Sequence, residues 1–253
     1  MKKTQREYFH YTKGQWRSWA KAWRNSFRRG TFAHHCDVHA CGRLINQHLM
    51  TLLGMLKPLQ GQRPLSMAIY LPMGDEIDIT PTLEYLLETG HALYAPRIVS
   101  LRHLAWHRIQ ALPTEVPTPL GWCKNHYGIW EPTSTQPLMT TPPDVVLVPC
   151  LMMDTQGFRL GYGGGYYDVQ LESWHRQAPS TFPLTLGVVY DALCVRQLPS
   201  EIQDYPLHLR VTEFGFSQGA EAVLDTRMML HQNLMECNHL VEVPSEISAS
   251  YRN

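Results

Sequence analysis

"GFRLGYGGGYYD", running from Gly157 to Asp168, puts four glycines into the five positions 161–165 and follows them with two tyrosines and an aspartate. Glycine loses more conformational freedom on ordering than any other residue, so such a cluster marks a tight turn or a close approach of backbone to a ligand. The flanks decide the fold. Before it, "DVVLVPCLM" (144–152) is a continuous apolar run of the kind found in strands covered on both faces. After it, Tyr167, Leu171, Trp174 and Ala178 recur at helical spacing from a start near Tyr166. Strand, glycine turn and helix form the repeating unit of an open parallel sheet, where ligands gather at the carboxyl ends of strands. Successive N–H groups in the turn, with a helix N-terminus behind them, make a nest for an anion, phosphate above all. The common nucleotide patterns do not match, since no Lys-Ser/Thr pair is present and Tyr166 stands where G-x-G-x-x-G needs glycine. By itself the cluster fits a structural turn as well as a phosphate site. Arg159 just before it and Asp168 just after it favour phosphate oxygens and magnesium.

The same alternation extends along the chain. A helix is expected over 16–29, with Trp16, Trp19, Trp23 and Phe27 on one face and Arg17, Lys21, Arg24 and Arg28 in a second stripe. A second helix is expected over 41–56. "SMAIYLPM" (66–73) reads as a strand, and "TPTLEYLLETG" as a helix with Thr80 as N-cap, Pro81 in the first turn and Gly90 as stop. Further strands are expected over 91–98, 103–109 and 184–190. Strands separated by helices pair in parallel through right-handed crossovers, which predicts an α/β fold, a three-layer α/β/α arrangement with a mainly parallel sheet. Residues 1–15 read as a polar tail, 16–216 as one domain and 217–253 as an appendage carrying an apolar helix over 223–234.

The 253 residues suffice for a sizeable core, and 44% hydrophobic with 17% charged residues is ordinary globular composition. Formal net charge is zero, so nothing global points to nucleic acid or membrane. Basic charge is local: Met1 to Gly30 holds nine Lys or Arg and one acid, Glu7. No apolar signal core and no run of about eighteen apolar residues occurs, so the reading is cytoplasmic, without a membrane partner. Six cysteines lie scattered without a C-x-x-C pair, and Cys150 and Cys194 read as inert core thiols. "HHCDVHAC" (34–41) places His35 and His39 at helical i, i+4 spacing but lacks a further ligand at a zinc spacing.

"RLGYGGGYYD" with its preceding strand resembles the signature of the 5-formyltetrahydrofolate cyclo-ligase family. "KAWR" (21–24), "IYLPMGDEIDIT" (69–80), "YGIWEP" (127–132) and "LPSEIQDYPLHLRVTE" (198–213) resemble further family segments in the same order. The resemblance implies a NagB/RpiA/CoA-transferase-like fold and an enzyme that uses ATP and magnesium to cyclise 5-formyltetrahydrofolate to 5,10-methenyltetrahydrofolate. It implies that Lys21, Arg24 and the segment Arg159, Leu160, Gly161, Tyr162, Gly163, Gly164, Gly165, Tyr166 and Tyr167 meet ATP. It further implies that Arg159 and Tyr167 are catalytic and that Asp168 and Asp204 hold magnesium. Leu71, Glu76, Trp106, Gly164 and Tyr166 would contact the folate.

Each role has a plainer rival: surface charge for Lys21 and Arg24, helix capping for Glu76, turn formation for Asp204 and packing for the two tyrosines. Glu131 reads as a loop anchor. Leu193, Gln203, His208 and Val169 depart from the family pattern, and the first three motivate a rival reading as a non-catalytic nucleotide- or folate-binding module. An RNA-binding adaptor using the basic start of the chain lacks any RNA-binding signature.

Overall fold

The computed structural model describes residues 11–31, 37–59, 63–114, 121–126, 128–133 and 138–219. Helix α1 (Lys13–Arg28) starts three residues before the expected position because Thr12 and Gln15 form a capping box: Thr12 Oγ1 accepts from the Gln15 N–H and the Gln15 side chain accepts from the Thr12 N–H. The apolar face begins only at Trp16, so periodicity alone sets the start late. Helix α2 (Val38–Leu59) buries Ile45, Leu49, Leu52, Leu53 and Leu56. After β1 (Ser66–Ala68) comes α3 (Thr80–Glu88), with Thr80 inside the first turn. The carboxylate of Asp78, not the Thr80 hydroxyl, takes up a free helical amide there, at 2.9 Å from the Thr80 N.

Strands β2 (Ala92–Ser100) and β3 (His103–Ile109) follow, then β4 (Trp122–Lys124) and β5 (Trp130–Pro132). The long apolar run yields β6 (Val145–Pro149) and, after a break at Cys150, β7 (Met152–Asp154), which pairs back with β8 (Arg159–Leu160). Helix α4 (Tyr166–Gln177), β9 (Leu184–Val188), β10 (Cys194–Val195), β11 (Leu209–Thr212) and β12 (Gly215–Gln218) complete the described chain. The apolar helix expected over 223–234 lies outside the described residues, as do positions 1–10 of the tail.

The main sheet has the order β12-β11-β9-β6-β1-β2-β3. Its five inner strands pair in parallel, and antiparallel hairpins form both edges. The parallel crossover expected between the strands over 91–98 and 103–109 is thus a hairpin, since the two residues between Ser100 and His103 can only reverse the chain. From β1 the chain advances to β2, then returns to the far side of β1 as β6 and proceeds to β9. Right-handed crossovers running in opposite directions put α3 and α4 on opposite faces, which makes three layers. Strand β6 is accordingly buried along Val145 to Val148. The reversal of strand order between β1 and β6 opens a crevice at their carboxyl ends, the position where open sheets of this type hold ligands.

Candidate functional site

Two segments meet at that crevice. The one leaving β1 carries Leu71 and Glu76, and the one leaving β6 leads through the β7–β8 hairpin to the glycine turn. Gly163 (φ 107°) and Gly165 (φ 70°) need the left-handed conformations that glycine adopts without strain. Gly164 is fixed differently: a Cβ there would stand 2.7 Å from the Tyr166 ring, which packs beneath it. Gly165 caps α4 with no side-chain hydrogen bond, and the turn from Tyr162 to Gly164 is exposed. Leu160 is buried, so only its backbone faces the turn's chemistry.

The basic stripe of α1 lies along this crevice. Arg17 donates from Nε to the Gly161 carbonyl at 2.9 Å, the Lys21 ammonium sits 4.8 Å from the centre of the Tyr162 ring, and Arg28 donates to the Gly74 carbonyl at 2.6 Å. Arg24 departs from the expected exposed row. It is buried at 3% exposure, donates to the Cys150 carbonyl, and leaves Nε without a partner at the wall of the cleft. A buried guanidinium nitrogen left without a hydrogen bond is costly, and the strand end at Cys150 holds the group there.

Arg159 is also engaged. Its side chain, 5% exposed, pairs with Asp168 at 2.9 Å and donates to the Tyr205 carbonyl at 2.9 Å. Asp168 Oδ1 further accepts from the Tyr205 N–H at 3.1 Å. One residue earlier, Asp204 closes a turn by accepting from the Glu201 N–H at 2.7 Å and takes the Lys13 ammonium at 2.9 and 2.6 Å. Asp168, in the first turn of α4, thus meets the loop that carries Asp204, and each carboxylate is balanced by a cation. Both the metal role and the plain turn-forming role are compatible with that geometry. No cluster of three or more His, Cys, Asp or Glu side chains fit to hold a metal occurs among the described residues. His35 lies outside them.

On the β1 side, a cleft of about 1140 Å3 is bordered by Arg24, Arg28, Met73, Glu76 and Tyr190. Burial pushes the Glu76 carboxyl up to about 7, against the pull of the Met73 N–H, which donates to it at 3.0 Å, and of the Arg24 charge. Tyr70 is buried beneath, donating to the Ile77 carbonyl at 3.1 Å. A bond from Tyr162 Oη to Asp75 at 2.7 Å ties the two segments together. Burial also raises the Tyr167 hydroxyl above its ordinary range, so at neutral pH it is a donor, not a phenolate. Trp106 is buried between β3 and α4, its Nε1 donating to Gln170 at 3.1 Å and its ring edge-on to Tyr167 at 6.1 Å. It supports Tyr167 from behind.

Sequence reading missed Arg17, Lys13, Tyr190 and Asp75. Arg17 and Lys13 were legible as cations one and two turns before Lys21, but the motif chosen began after them. Of the departures, Leu193 is fully buried, and His208 exchanges hydrogen bonds with Thr185: its Nδ1 accepts from the Thr185 N–H at 3.0 Å and its backbone N–H donates to Thr185 Oγ1 at 2.9 Å. Both serve packing. Glu131, 5% exposed, accepts from the Ile98 N–H at 3.1 Å and the Asn125 amide at 2.9 Å, as a loop anchor does.

The sequence profile of the 5-formyltetrahydrofolate cyclo-ligase family matches residues 22–213. The 5-formyltetrahydrofolate cyclo-ligase of Haemophilus influenzae is 29% identical over 171 residues, covering 67% of this chain and 83% of the relative. That of Escherichia coli K12 is 31% identical over 152 residues, covering 58% and 77%. Among solved structures, the 5,10-methenyltetrahydrofolate synthetase of Aquifex aeolicus superimposes with a TM-score of 0.59 at 24% identity, covering 81% of this chain and 92% of its own, a likeness of fold.

Proposed function

Because the chain belongs to the 5-formyltetrahydrofolate cyclo-ligase family, we propose that it closes 5-formyltetrahydrofolate to 5,10-methenyltetrahydrofolate, with ATP converted to ADP and phosphate. The observation that carries this is the meeting, at the β1/β6 crevice, of a desolvated carboxyl, Glu76, with an exposed glycine turn lined by cations.

A formyl amide oxygen is a poor leaving group. Transfer of the terminal phosphoryl of ATP to that oxygen makes it a good one, and the neighbouring ten-position nitrogen then attacks the formyl carbon and expels phosphate. Phosphoryl transfer needs positioning and charge neutralisation more than covalent help from the protein. The N–H groups of the turn, with Arg17 and Lys21, bind and orient the triphosphate. Tyr167 Oη keeps its proton and donates a hydrogen bond toward the reacting oxygens. Glu76, when ionised, accepts paired N–H bonds from the reduced pterin, and Tyr166 and Leu71 border the ring.

Magnesium fits Asp168 and Asp204, because it binds through one or two carboxylates together with phosphate oxygens rather than in an all-protein cage. When bound it supplies neutralisation of phosphate charge. Asp168 Oδ2 has no hydrogen bond among the described residues and is the donor best placed to serve it. A cytoplasmic site of action belongs to the same reading and is supported by the thiols of Cys123, Cys150 and Cys194, none of which forms a disulfide among the described residues. No described helix is long and apolar enough to cross a membrane.

The test mixes the full chain with magnesium-ATP and 5-formyltetrahydrofolate and follows the absorbance of the methenyl product together with phosphate. Product with equal phosphate is expected. Folate binding without product would replace the enzyme by a binding module.

A further inference from the structure

Arg102 sits at the tip of the β2–β3 hairpin with φ 61°, the one non-glycine residue with positive φ among those described. An L-residue carrying a long side chain is strained there, where glycine or asparagine is the usual occupant. The side chain is exposed and makes no hydrogen bond or ion pair with any described residue. It reaches across to the glycine turn, where a Cβ on Gly165 would lie 3.6 Å from Arg102 Nε and 3.9 Å from Cζ. On the other flank, a Cβ on Gly163 would lie 3.5 Å from Arg17 Cζ. Two guanidinium groups, one from α1 and one from the hairpin, thus bracket Gly164. Arg17 bonds a carbonyl and neither has a carboxylate partner among the described residues, whereas nearby Arg159 and Lys13 are both paired with acids. Two cations without a carboxylate partner among the described residues, one of them brought to this exposed turn at the expense of backbone strain, mark a place completed by an anion.

We propose that Arg102 binds the phosphates of ATP, closing from the hairpin side the anion site that Arg17 lines from α1. The inference rests on the reading of the glycine turn as the ATP site. Strain at the position then has a purpose: it aims the guanidinium over Gly165, whose missing side chain leaves room for it.

Strain also separates this role from a structural one. Replacing Arg102 by glycine relieves the backbone while removing the cation. Binding of ATP and of adenosine to the full chain, with magnesium present, is measured by calorimetry for the wild type, Arg102→Gly and Arg102→Lys, alongside melting temperature. Arg102→Gly is expected to bind ATP about tenfold more weakly or worse, from the loss of a hydrogen bond to a charged group. Its adenosine affinity should hold and its melting temperature should equal or exceed that of the wild type, with Arg102→Lys intermediate for ATP. Equal ATP affinity in wild type and Arg102→Gly overturns the proposal, as does parallel loss of ATP and adenosine with a lower melting temperature. A wild type that binds ATP through Arg102 but forms no methenyl product overturns the cyclo-ligase reading and leaves Arg102 in place. A wild type that binds no ATP overturns both.

Discussion

The two segments leaving β1 and β6 occupy equivalent positions in the sheet yet treat charge in opposite ways. The glycine turn after β6 is open to water and approached by Arg17 and Lys21. An ionic ligand arriving there finds charge already arranged to receive it. The segment after β1 is backed by buried Tyr70, Ile77 and Ile79, and its carboxyl is held back from ionising until about pH 7. There the protein withholds charge until a partner supplies hydrogen bonds for it. Neutralisation suits phosphate, and a reluctant carboxylate suits a ring with paired N–H donors. Under the proposed function, the contrast puts nucleotide at one wall of the crevice, the phosphate wall, and folate at the other, the folate wall.

Breaking the phosphate wall should have the largest effect. In Asp168→Asn, the guanidinium of Arg159, 5% exposed, loses its ion-pair partner, and the proposed magnesium carboxylate is weakened at once. Loss of one partner of a buried pair costs about 3 kcal/mol. A fall of roughly a hundredfold or more in kcat/KM is expected, together with a lower melting temperature. Methenyl formation and thermal unfolding check both. Turnover close to wild type would remove Asp168 from the phosphate wall.

On the folate wall, Glu76→Gln should raise KM for 5-formyltetrahydrofolate by roughly tenfold at pH 8 through loss of a charged hydrogen-bond acceptor, with KM for ATP little changed. In the wild type, KM for folate should improve as pH rises through about 7, where Glu76 ionises, and the variant should be flat. Stability runs the other way. The folded carboxyl is raised from 4.5, so between 4.5 and about 7 the folded protein holds a proton that the unfolded chain has released. The stabilisation is complete below that window and lost as pH rises through it. Glu213, buried and also raised to about 7, contributes with the same sign, so Glu76→Gln should flatten the loss only in part. An unaltered pH profile in the variant would free the folate wall of Glu76.

The difference between the walls was partly legible in the chain. Glycines at 161–165 announce a turn because few other reasons order so many, and the apolar run before them announces a buried strand. The reversal of strand order was not legible, because it depends on which strand β6 pairs with, and short parallel strands carry no register signal. Nor could spacing say that Arg24 points into the protein while Arg17 reaches the turn. Both lie on the same stripe, and what separates them is the break at Cys150, whose carbonyl captures Arg24. The hairpin at Arg102 was missed for a related reason: the residues 99–102 carry no glycine, proline or asparagine to mark a turn.

Lys21 and Arg17 offer the smallest and sharpest test of the phosphate wall. The family-like motif selects Lys21, whereas geometry selects Arg17. Lys21 is exposed and its ammonium rests on the Tyr162 ring, a contact worth about 0.5–1 kcal/mol at such a site. Arg17 is half-buried and already fixed on the Gly161 carbonyl, so its guanidinium loses little freedom when it meets phosphate. Lys21→Ala should therefore raise KM for magnesium-ATP by only about two- to fivefold, an effect that fades with salt. Arg17→Ala should raise it by roughly tenfold or more. Both are read from ATP titrations at low and high ionic strength. If Lys21→Ala proves the more damaging, the triphosphate runs further along α1 than the turn, and Tyr162, tied by its hydroxyl to Asp75, becomes the hinge between the two walls rather than a lid on one.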